Sequence, residues 1–301
     1  MGRPSKRSPE KIEEVRASVS EKTFRSLRRS EPLFDISDTT VYRILKDDLN
    51  YRFYHVKSVQ PLNDTHKKQR TEFCRWLLEQ PNPERFVMNV IWMDEKYFCL
   101  NQKPHRKNDG TWSNECPHEI VESNNRNDQK VMLFVAIVDG KVPVVHAFVD
   151  ENGRNSILNG AGYFDFLREK IWPTFRSSAT RKGYWFMQDG APVHCTTEAK
   201  QFLVEKFQGR VISRGTANAW PAHSPDINPL DFYFWAVAQK RVYEAKPSTI
   251  AELINVVKQF ASEIRKEVLE NVALDVLERA RLCLQVNGGH FQQLKKRGSK
   301  R

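Results

Sequence analysis

Acidic side chains follow two apolar, β-like stretches of this sequence. Asp94 comes after Val-Ile-Trp-Met, and Asp189 comes after Trp-Phe-Met-Gln. A strand that is buried on both faces carries a carboxylate only at its exposed carboxyl end, where α/β folds build their sites. We therefore expect adjacent strands to bring Asp94 and Asp189 together. Because like charges in contact repel, the pair needs shared protons or bound cations.

A third carboxylate is offered by residues 221–235, PAHSPDINPLDFYFW, where three prolines precede an aromatic helix start. The prolines stiffen the chain, and Pro229 fits the turn that presents Asp231 at the amino end of the helix. Three such acids can hold two divalent ions roughly 3.5–4 Å apart, the arrangement used for in-line attack at phosphodiesters. An oxygen-only ligand set favours Mg²⁺ or Mn²⁺. The pattern predicts that Asp94, Asp189 and Asp231 are both catalytic and metal-ligating.

Two neighbouring acids compete for these roles. Asp226 lies within the proline turn, where local hydrogen bonds to the backbone are the favoured interpretation. Glu95 points to the opposite face from Asp94 if the strand continues that far. Taken singly, Asp94 is also compatible with a strand-end cap and Asp189 with a turn. The convergence of all three acids is what distinguishes a site from these local explanations.

The composition is typical of a folded protein with room for two domains. The chain has 301 residues, of which 40% are hydrophobic and 28% charged, and this excludes an intrinsically disordered class. No apolar run is long enough to cross a bilayer, and the start MGRPSKRSPEK lacks the core of a signal peptide. Five scattered cysteines without a C-x-x-C pair favour a reducing compartment and argue against structural zinc.

The positive charge indicates a polyanionic partner. The formal net charge is +11, and the excess is concentrated at the two ends of the chain. Residues 1–70 hold 16 Lys/Arg against 10 Asp/Glu, and the tail LKKRGSKR adds five more positive charges. Such a surplus favours nucleic acid, and with it residence in the nucleus.

The first 60 residues predict three short helices. In the third, Ser37 can cap a helix whose Val41, Ile44 and Leu45 recur at core-facing spacing. This arrangement predicts a helix-turn-helix whose last helix enters a major groove, although a small bundle that binds nothing has the same pattern. The start GRPSKR is similar to elements that lie in A·T-rich minor grooves, or is a flexible basic terminus. The predicted DNA-contacting residues are Arg3, Ser37, Thr39, Thr40, Tyr42, Arg43 and Lys46.

From about residue 83 the pattern is α/β. Residues 85–100 predict a strand ending in acids, and residues 130–150 predict a hairpin turning at Asp139-Gly140. Residues 161–175 and 195–207 predict helices, residues 183–189 a buried strand, and residues 210–215 a short strand. The polar stretch 101–128 is too long for a neutral connection and is predicted to be functional or disordered.

These residues carry a resemblance to a known family, the mariner-type DDE/D transposases of the Tc/mariner group. VIWMDEKYF resembles the first catalytic strand of that family, MQDGAPVHC its second, and WPAHSPDINPLDFYFW the block with the third acid. Carried over, the resemblance assigns the catalytic triad to Asp94, Asp189 and Asp231. It covers nearly the whole chain, including ERARLCLQVNGGHF near the carboxyl end.

The resemblance implies an α/β RNase H-like catalytic domain, a mixed sheet with flanking helices, preceded by a small all-α helix-turn-helix domain. It implies a dimer that uses two Mg²⁺ or Mn²⁺ ions to cut double-stranded DNA at terminal inverted repeats and join it to target DNA, with no membrane partner. The implied domains are a basic linker 1–7, a helix-turn-helix domain 8–55, a linker and connecting helix 56–82, a catalytic domain 83–292 with a clamp-type loop at about 101–128, and a basic tail 293–301.

Three features depart from the family pattern. Glycine follows Asp189 where the family usually has asparagine, and 41 residues separate Asp189 from Asp231, which indicates a DDD branch with a long second spacer. The chain also begins at the Gly-Arg-Pro linker that normally joins two helix-turn-helix units, so we expect the first unit to be missing. The alternatives left open are a domesticated or truncated DNA-binding derivative without transposition, and a helix-turn-helix regulator with an inert appendage.

Overall fold

The computed structural model of the protein describes residues 7–20, 31–51, 60–100, 129–292 and 294. The chain divides into two compact units, Met1–Gln60 and Pro61–Arg301. Arg3, most of the predicted second helix and the predicted clamp-type loop 101–128 lie outside the described residues. Among the helices that are described, none is long and apolar enough to cross a membrane.

The first unit is helical, as predicted. Its described helices are α1 (Pro9–Ser20), α2 (Glu31–Phe34) and α3 (Asp38–Arg43), and α3 continues as a π-helical turn over Ile44–Asp48. Ser37 caps α3 by accepting a hydrogen bond from the Thr40 amide. A small core of fully or nearly fully buried side chains holds these helices together, formed by Val15, Phe34, Ile36, Val41 and Ile44.

The second unit is built on one mixed five-stranded sheet. Its strands are β1 (Val90–Cys99), β2 (Lys130–Val138), β3 (Lys141–Phe148), β4 (Trp185–Met187) and β5 (Val211–Ile212). The strand order is β3-β2-β1-β4-β5. The first three strands pair antiparallel, whereas β4 lies parallel to both β1 and β5. The parallel half places the carboxyl ends of β1, β4 and β5 at one edge.

The β2–β3 connection is the predicted two-residue hairpin. Asp139 and Gly140 have φ of 53° and 68°, so both central residues adopt the left-handed conformation that a type I′ turn requires. The turn is fixed by Lys182, whose Nζ lies 2.6 Å from Asp139 Oδ2.

Helices cover both faces of the sheet. They are α4 (Asp64–Leu78), α5 (Pro83–Met88), α6 (Gly160–Phe166), α7 (Trp172–Arg181), α8 (Thr197–Lys206), α9 (Trp235–Ala245), α10 (Ile250–Glu263) and α11 (Lys266–Gln285). A π-helical turn over Leu167–Ile171 joins α6 to α7, another over Leu230–Phe234 precedes α9, and a 3₁₀ turn over Pro192–Cys195 precedes α8.

The alternation of β1 divides the core in two. Val90, Trp92 and Phe98 pack on the face covered by α4, α9, α10 and α11, while Ile91 and Met93 pack on the face covered by α6, α7 and α8. Side chains at successive strand positions point to opposite faces, so this division fixes which way every polar residue of β1 points.

The first predicted strand, residues 85–100, is wrong at its start, and the acids predicted to end it lie within it. Residues 83–88 form helix α5, because Asn82 caps it and Pro83 occupies its first position. Strand β1 then continues to Cys99, five residues beyond Asp94, because β2 pairs with it along that length. Asp94 therefore lies within β1 and is freed from pairing with β4 only because β4 ends at Met187.

Candidate active site

The parallel pairing of β1 and β4 aligns two of the three predicted acids. Val90 pairs with Trp185 and Ile91 with Phe186. Continued by three residues, this register brings Asp94 level with Asp189. Asp189 lies two residues beyond the end of β4 and its side chain is half-exposed.

The start of α9 is held against Asp94 by two side chains of the proline-rich segment. Asn228 donates to the carbonyl of Met93 at 3.4 Å and accepts from the Leu230 amide at 3.2 Å. Trp235 Nε1 donates to Asp94 Oδ2 at 2.6 Å. Because Asp231 lies one helical turn before Trp235, these contacts bring the third acid to the same place.

The charges of the three acids act on one another. Burial raises the pKa of Asp94 to about 8, and the negative charges of Asp231, Glu95 and Asp189 contribute to the rise, whereas the hydrogen bond from Trp235 opposes it. A carboxyl group that resists ionisation near neutral pH is the expected result of placing like charges together without a counter-ion.

Asp231 shows the same effect more weakly. Burial raises its pKa to about 6, with Asp189 and Asp226 adding to the rise. The positive charge of Lys96 acts in the opposite direction. Lys96 is two residues after Asp94 on β1 and therefore shares its face of the sheet.

Asp189 is held by a buried histidine. His194 Nδ1 lies 2.7 Å from Asp189 Oδ1, which also accepts from the Ala191 amide at 3.0 Å. The other ring nitrogen, Nε2, lies 3.3 Å from Glu95 Oε1. Burial by itself would raise the pKa of Asp189, but the hydrogen bond and charge of His194 outweigh it and lower that pKa.

His194 is positively charged at neutral pH because two carboxylates lie against its ring. Its side chain is 2% exposed, and burial alone would lower its pKa. The two carboxylates, Glu95 and Asp189, outweigh burial and raise the pKa of His194 to about 10. The ring stacks on Tyr163 at 4.5 Å, and Gln188 donates to the His194 carbonyl at 2.9 Å, so its position is fixed from several sides.

Asp226 is turned away from the site. Its side chain is 2% exposed and forms a two-point ion pair with the fully buried Arg70 of α4, with both N–O distances 2.7 Å. The remaining donors of Arg70 reach the carbonyl oxygens of Gly288 and His223 at 2.8 and 3.1 Å and the hydroxyl of Ser224 at 3.0 Å. The prediction of local backbone bonds for Asp226 is wrong, because a distant arginine neutralises it.

The donor set fits a divalent cation, although its members are not gathered around one point. Within the described ranges, no three His, Cys, Asp or Glu side chains lie close enough to hold a metal ion together. Asp94 and Asp189 each have one oxygen held, by Trp235 and His194 respectively. The ligands are oxygens, and the repulsion that raises two of their pKa values is what a Mg²⁺ or Mn²⁺ ion would relieve.

The predicted DNA-contacting residues of the first unit fall into two groups. Ser37 and Thr40 are half-buried and bonded to each other through their hydroxyls at 2.9 Å. Four side chains, those of Thr39, Tyr42, Arg43 and Lys46, are exposed on α3 and its continuation.

Sequence reasoning missed four residues of the site: Glu95 as a partner of His194, Lys96, His194 and Trp235. Lys96 could have been found from the strand period, since it follows Asp94 by two. His194 and Trp235 follow Asp189 and Asp231 by five and four residues, but nothing in those spacings identifies them as partners.

Comparison with known proteins agrees with this geometry. No protein-family profile matches the chain. "Transposable element Tc3 transposase" of Caenorhabditis elegans is 26% identical over 243 residues, which is 79% of this chain and 66% of that protein. The chain thus spans slightly less than two thirds of the length of this curated relative.

Solved structures of Mos1 transposase share the fold. The paired-end complex with the left transposon end superposes with a TM-score of 0.74 at 19% identity and covers 97% of this chain and 82% of that chain. The Mos1 catalytic domain alone superposes with a TM-score of 0.57 at 18% identity and covers 78% of this chain and 100% of that chain. The predicted fold class, an RNase H-like mixed sheet with flanking helices preceded by a helical region, is confirmed.

Proposed function

We propose that this protein is a Tc1/mariner-type transposase of a DDD branch. It binds double-stranded DNA at the terminal inverted repeats of an element, cleaves phosphodiester bonds there and joins the 3′ ends to target DNA. The observation that carries the proposal is the placement of the acids: the β1–β4 register brings Asp94 level with Asp189, and the charges of Asp231 and Asp189 add to burial in raising the pKa of Asp94 to about 8. Its support from relatives is the similarity to a transposase in sequence and to Mos1 transposase in fold.

The residues of the site have two kinds of role, metal binding and positioning of the metal ligands. Asp94, Asp189 and Asp231 would hold two Mg²⁺ or Mn²⁺ ions, which when bound activate a water or 3′-hydroxyl and stabilise the departing oxygen. Trp235 holds Asp94 in place and His194 holds Asp189, each leaving the carboxylate's second oxygen for a ligand. Solved Mos1 structures include a complex with Mn and one with Mg, which supports the choice of cation.

The DNA-binding part of the proposal rests on the first unit and on charge. Tyr42 is 49% exposed on the helix that Ser37 caps, with Lys46 over its ring. The net charge of +11 favours a phosphate backbone. The fold likeness to a paired-end complex supports a homodimer, and the substrate and basic ends support the nucleus as its location.

The test is incubation of the purified protein with supercoiled DNA carrying candidate element ends, in Mg²⁺ or Mn²⁺. We expect nicking that Asp189→Ala abolishes, since this removes a ligand without removing DNA binding. Glu151→Ala, on the exposed turn after β3, is the control for loss of an acidic side chain and should nick like the wild type. Equal nicking by Asp189→Ala would reject the assigned site.

A second function, DNA binding without transposition, is favoured by the spacing of the acids, since no three lie around one point in the part of the chain that the structure describes. In that case Mg²⁺ or Mn²⁺ would leave the melting temperature unchanged, while binding to duplex DNA would still fall steeply with salt. A salt-independent affinity would contradict both functions.

A further inference from the structure

A cavity of about 660 Å³ opens beside Asp189, on the face of the sheet covered by α4. Gly190 lines it, so it begins one residue from the predicted catalytic acid. Its opposite walls are α4 and the segment 217–222, which leads into the proline-rich block. The cavity thus adjoins the candidate active site at Gly190 and is lined by none of the three acids.

The lining combines one arginine with neutral polar groups and aromatic rings. Arg214, two residues past the end of β5, is exposed, and within the described ranges no salt bridge or side-chain hydrogen bond is recorded for it. Neutral donors and acceptors also line the cavity, and the rings of His66, Phe73, Trp76 and Trp220 form part of its wall. The carboxylate of Glu72 also lines the cavity and lies 3.9 Å from Lys68. The neutral polar side chains are those of Asn63, Thr65, Gln69 and Asn218.

Glycine at position 190 makes room for this arginine. A β-carbon placed on Gly190 would lie 3.3 Å from Arg214 Cδ and 3.6 Å from its Cβ, the tighter of which is closer than ordinary packing. The φ of Gly190 is not positive, so any constraint on this position comes from space and not from backbone conformation. A β-carbon there would require the exposed Arg214 side chain to shift by a few tenths of an ångström.

We propose that this cavity binds the DNA strand next to the scissile bond, with Arg214 contacting a backbone phosphate. An unpaired guanidinium is suited to a phosphate, and a groove that combines positive charge with aromatic rings is typical of sites for unpaired nucleotides. Gly190 and Arg214 then act as one unit: the glycine leaves the space and the arginine binds the phosphate. This inference rests on the proposed function, because it names the substrate contact of the same site.

The experiment measures binding of the full chain to a fluorescein-labelled duplex with a short single-stranded extension, by anisotropy over a range of salt. Arg214→Gln should raise Kd by about 3- to 10-fold and lower the slope of log K against log salt by about one, since one phosphate contact is lost. Arg181→Gln is the matched control, because Arg181 is exposed at the end of α7, four residues before β4, and should change neither quantity.

Gly190→Ala sharpens the test. It should weaken binding less than Arg214→Gln, and the double variant should bind no worse than Arg214→Gln alone, because the two changes remove the same contact. If the losses of affinity in the two single variants add up in the double variant, or if Arg214→Gln leaves the salt slope unchanged, the inference is overturned. The proposed function would still stand, provided that the wild type binds and nicks DNA. If the wild type itself neither binds nor nicks DNA, the proposed function fails first. Melting curves of all variants separate misfolding from lost contact.

Discussion

Asp226 and Asp231 lie five residues apart in one proline-rich segment, yet their surroundings are opposite. Asp226 meets both nitrogens of Arg70 at 2.7 Å in a fully buried ion pair. Within the part of the chain that the structure describes, Asp231 has no such ion pair, and burial together with the charges of Asp189 and Asp226 raises its pKa to about 6. A buried acid with a matched cation makes the fold sensitive to loss of either partner, whereas a buried acid among acids is held there by the rest of the structure.

Hydrogen bonds anchor the proline-rich segment at two points before Asp231. Arg70 fixes one end through Asp226 and Ser224, and Asn228 fixes the other to β1. Asp231 is carried between these anchors and α9 with little freedom of its own. The ion pair of Asp226 therefore helps to hold Asp231 in position.

The largest expected effect is on the nicking rate, and it should distinguish Asp231 from Asp226. Asp231→Asn should lower the nicking rate by about 10³-fold, since a metal ligand supplies several kcal/mol of transition-state stabilisation. Its melting temperature should stay equal or rise, because a repelling charge is removed. Asp226→Asn should instead unfold at lower temperature. Equal loss of activity at equal stability in both variants would contradict the distinction.

Breaking the ion pair from the other side tests its structural role. Arg70→Met leaves Asp226 buried and unpaired, and should lower the free energy of unfolding by about 3–5 kcal/mol in urea titrations. Adding Asp226→Leu should recover most of the loss, since both charges are then gone. A double variant as unstable as Arg70→Met would show that the arginine's bonds to the Gly288 and His223 carbonyls matter more than the pair.

The histidine beside Asp189 offers an intermediate effect. His194→Ala should reduce nicking by about 10- to 100-fold and raise the Mg²⁺ concentration needed for half-maximal rate, because it orients the carboxylate without touching DNA. A shift in metal requirement that excess Mg²⁺ partly rescues distinguishes positioning from general damage. An unchanged metal requirement would make His194 a packing residue only.

The smallest effect is a pH dependence of stability without metal. The folded-state pKa of Asp94 is raised to about 8 from an ordinary value of 3.8, so its contribution to stability is fully present below about pH 4 and is lost as pH rises through 8. Melting temperatures of the wild type should therefore fall across that window more than those of Asp94→Asn, by a few degrees. At pH 8, Mg²⁺ should raise the melting temperature of the wild type and not of the variant. Parallel curves would contradict the raised pKa.

The sequence predicted those features of the fold that depend on residues close together in the chain. The pair Asp139-Gly140 predicted the hairpin turn because both residues tolerate positive φ, and Ser37 predicted the amino-terminal cap of α3. The same rules failed at residues 83–88, where a proline and a capping asparagine outweigh a strand-like composition. Helices α10 and α11 were not predicted as separate elements, although they contribute much of the core on the face of the sheet that carries Asp94.

Long-range contacts could not be read from spacing. Arg70 and Asp226 are 156 residues apart, and although the helical period places Arg70 on the buried face of α4 with Phe73, Cys74 and Leu77, nothing in the sequence identifies Asp226 as its partner. For the site, the three acids could be selected from strand ends and a helix start. Their environment could not, because the bond from Trp235 and the bridge through His194 exist only once the sheet is assembled.

The contact between Arg70 and the Gly288 carbonyl has a consequence for shortened copies of the gene. Gly288 has φ of 81°, and a side chain there would overlap the carbonyl of Lys67, so this turn seals the end of α11 against α4. A stop codon between positions 232 and 288 would leave every acidic residue of the site encoded but would leave the guanidinium of Arg70 without that acceptor. Such a product should be removed by proteases and detected as low abundance in cells, and not as an inactive protein at normal levels.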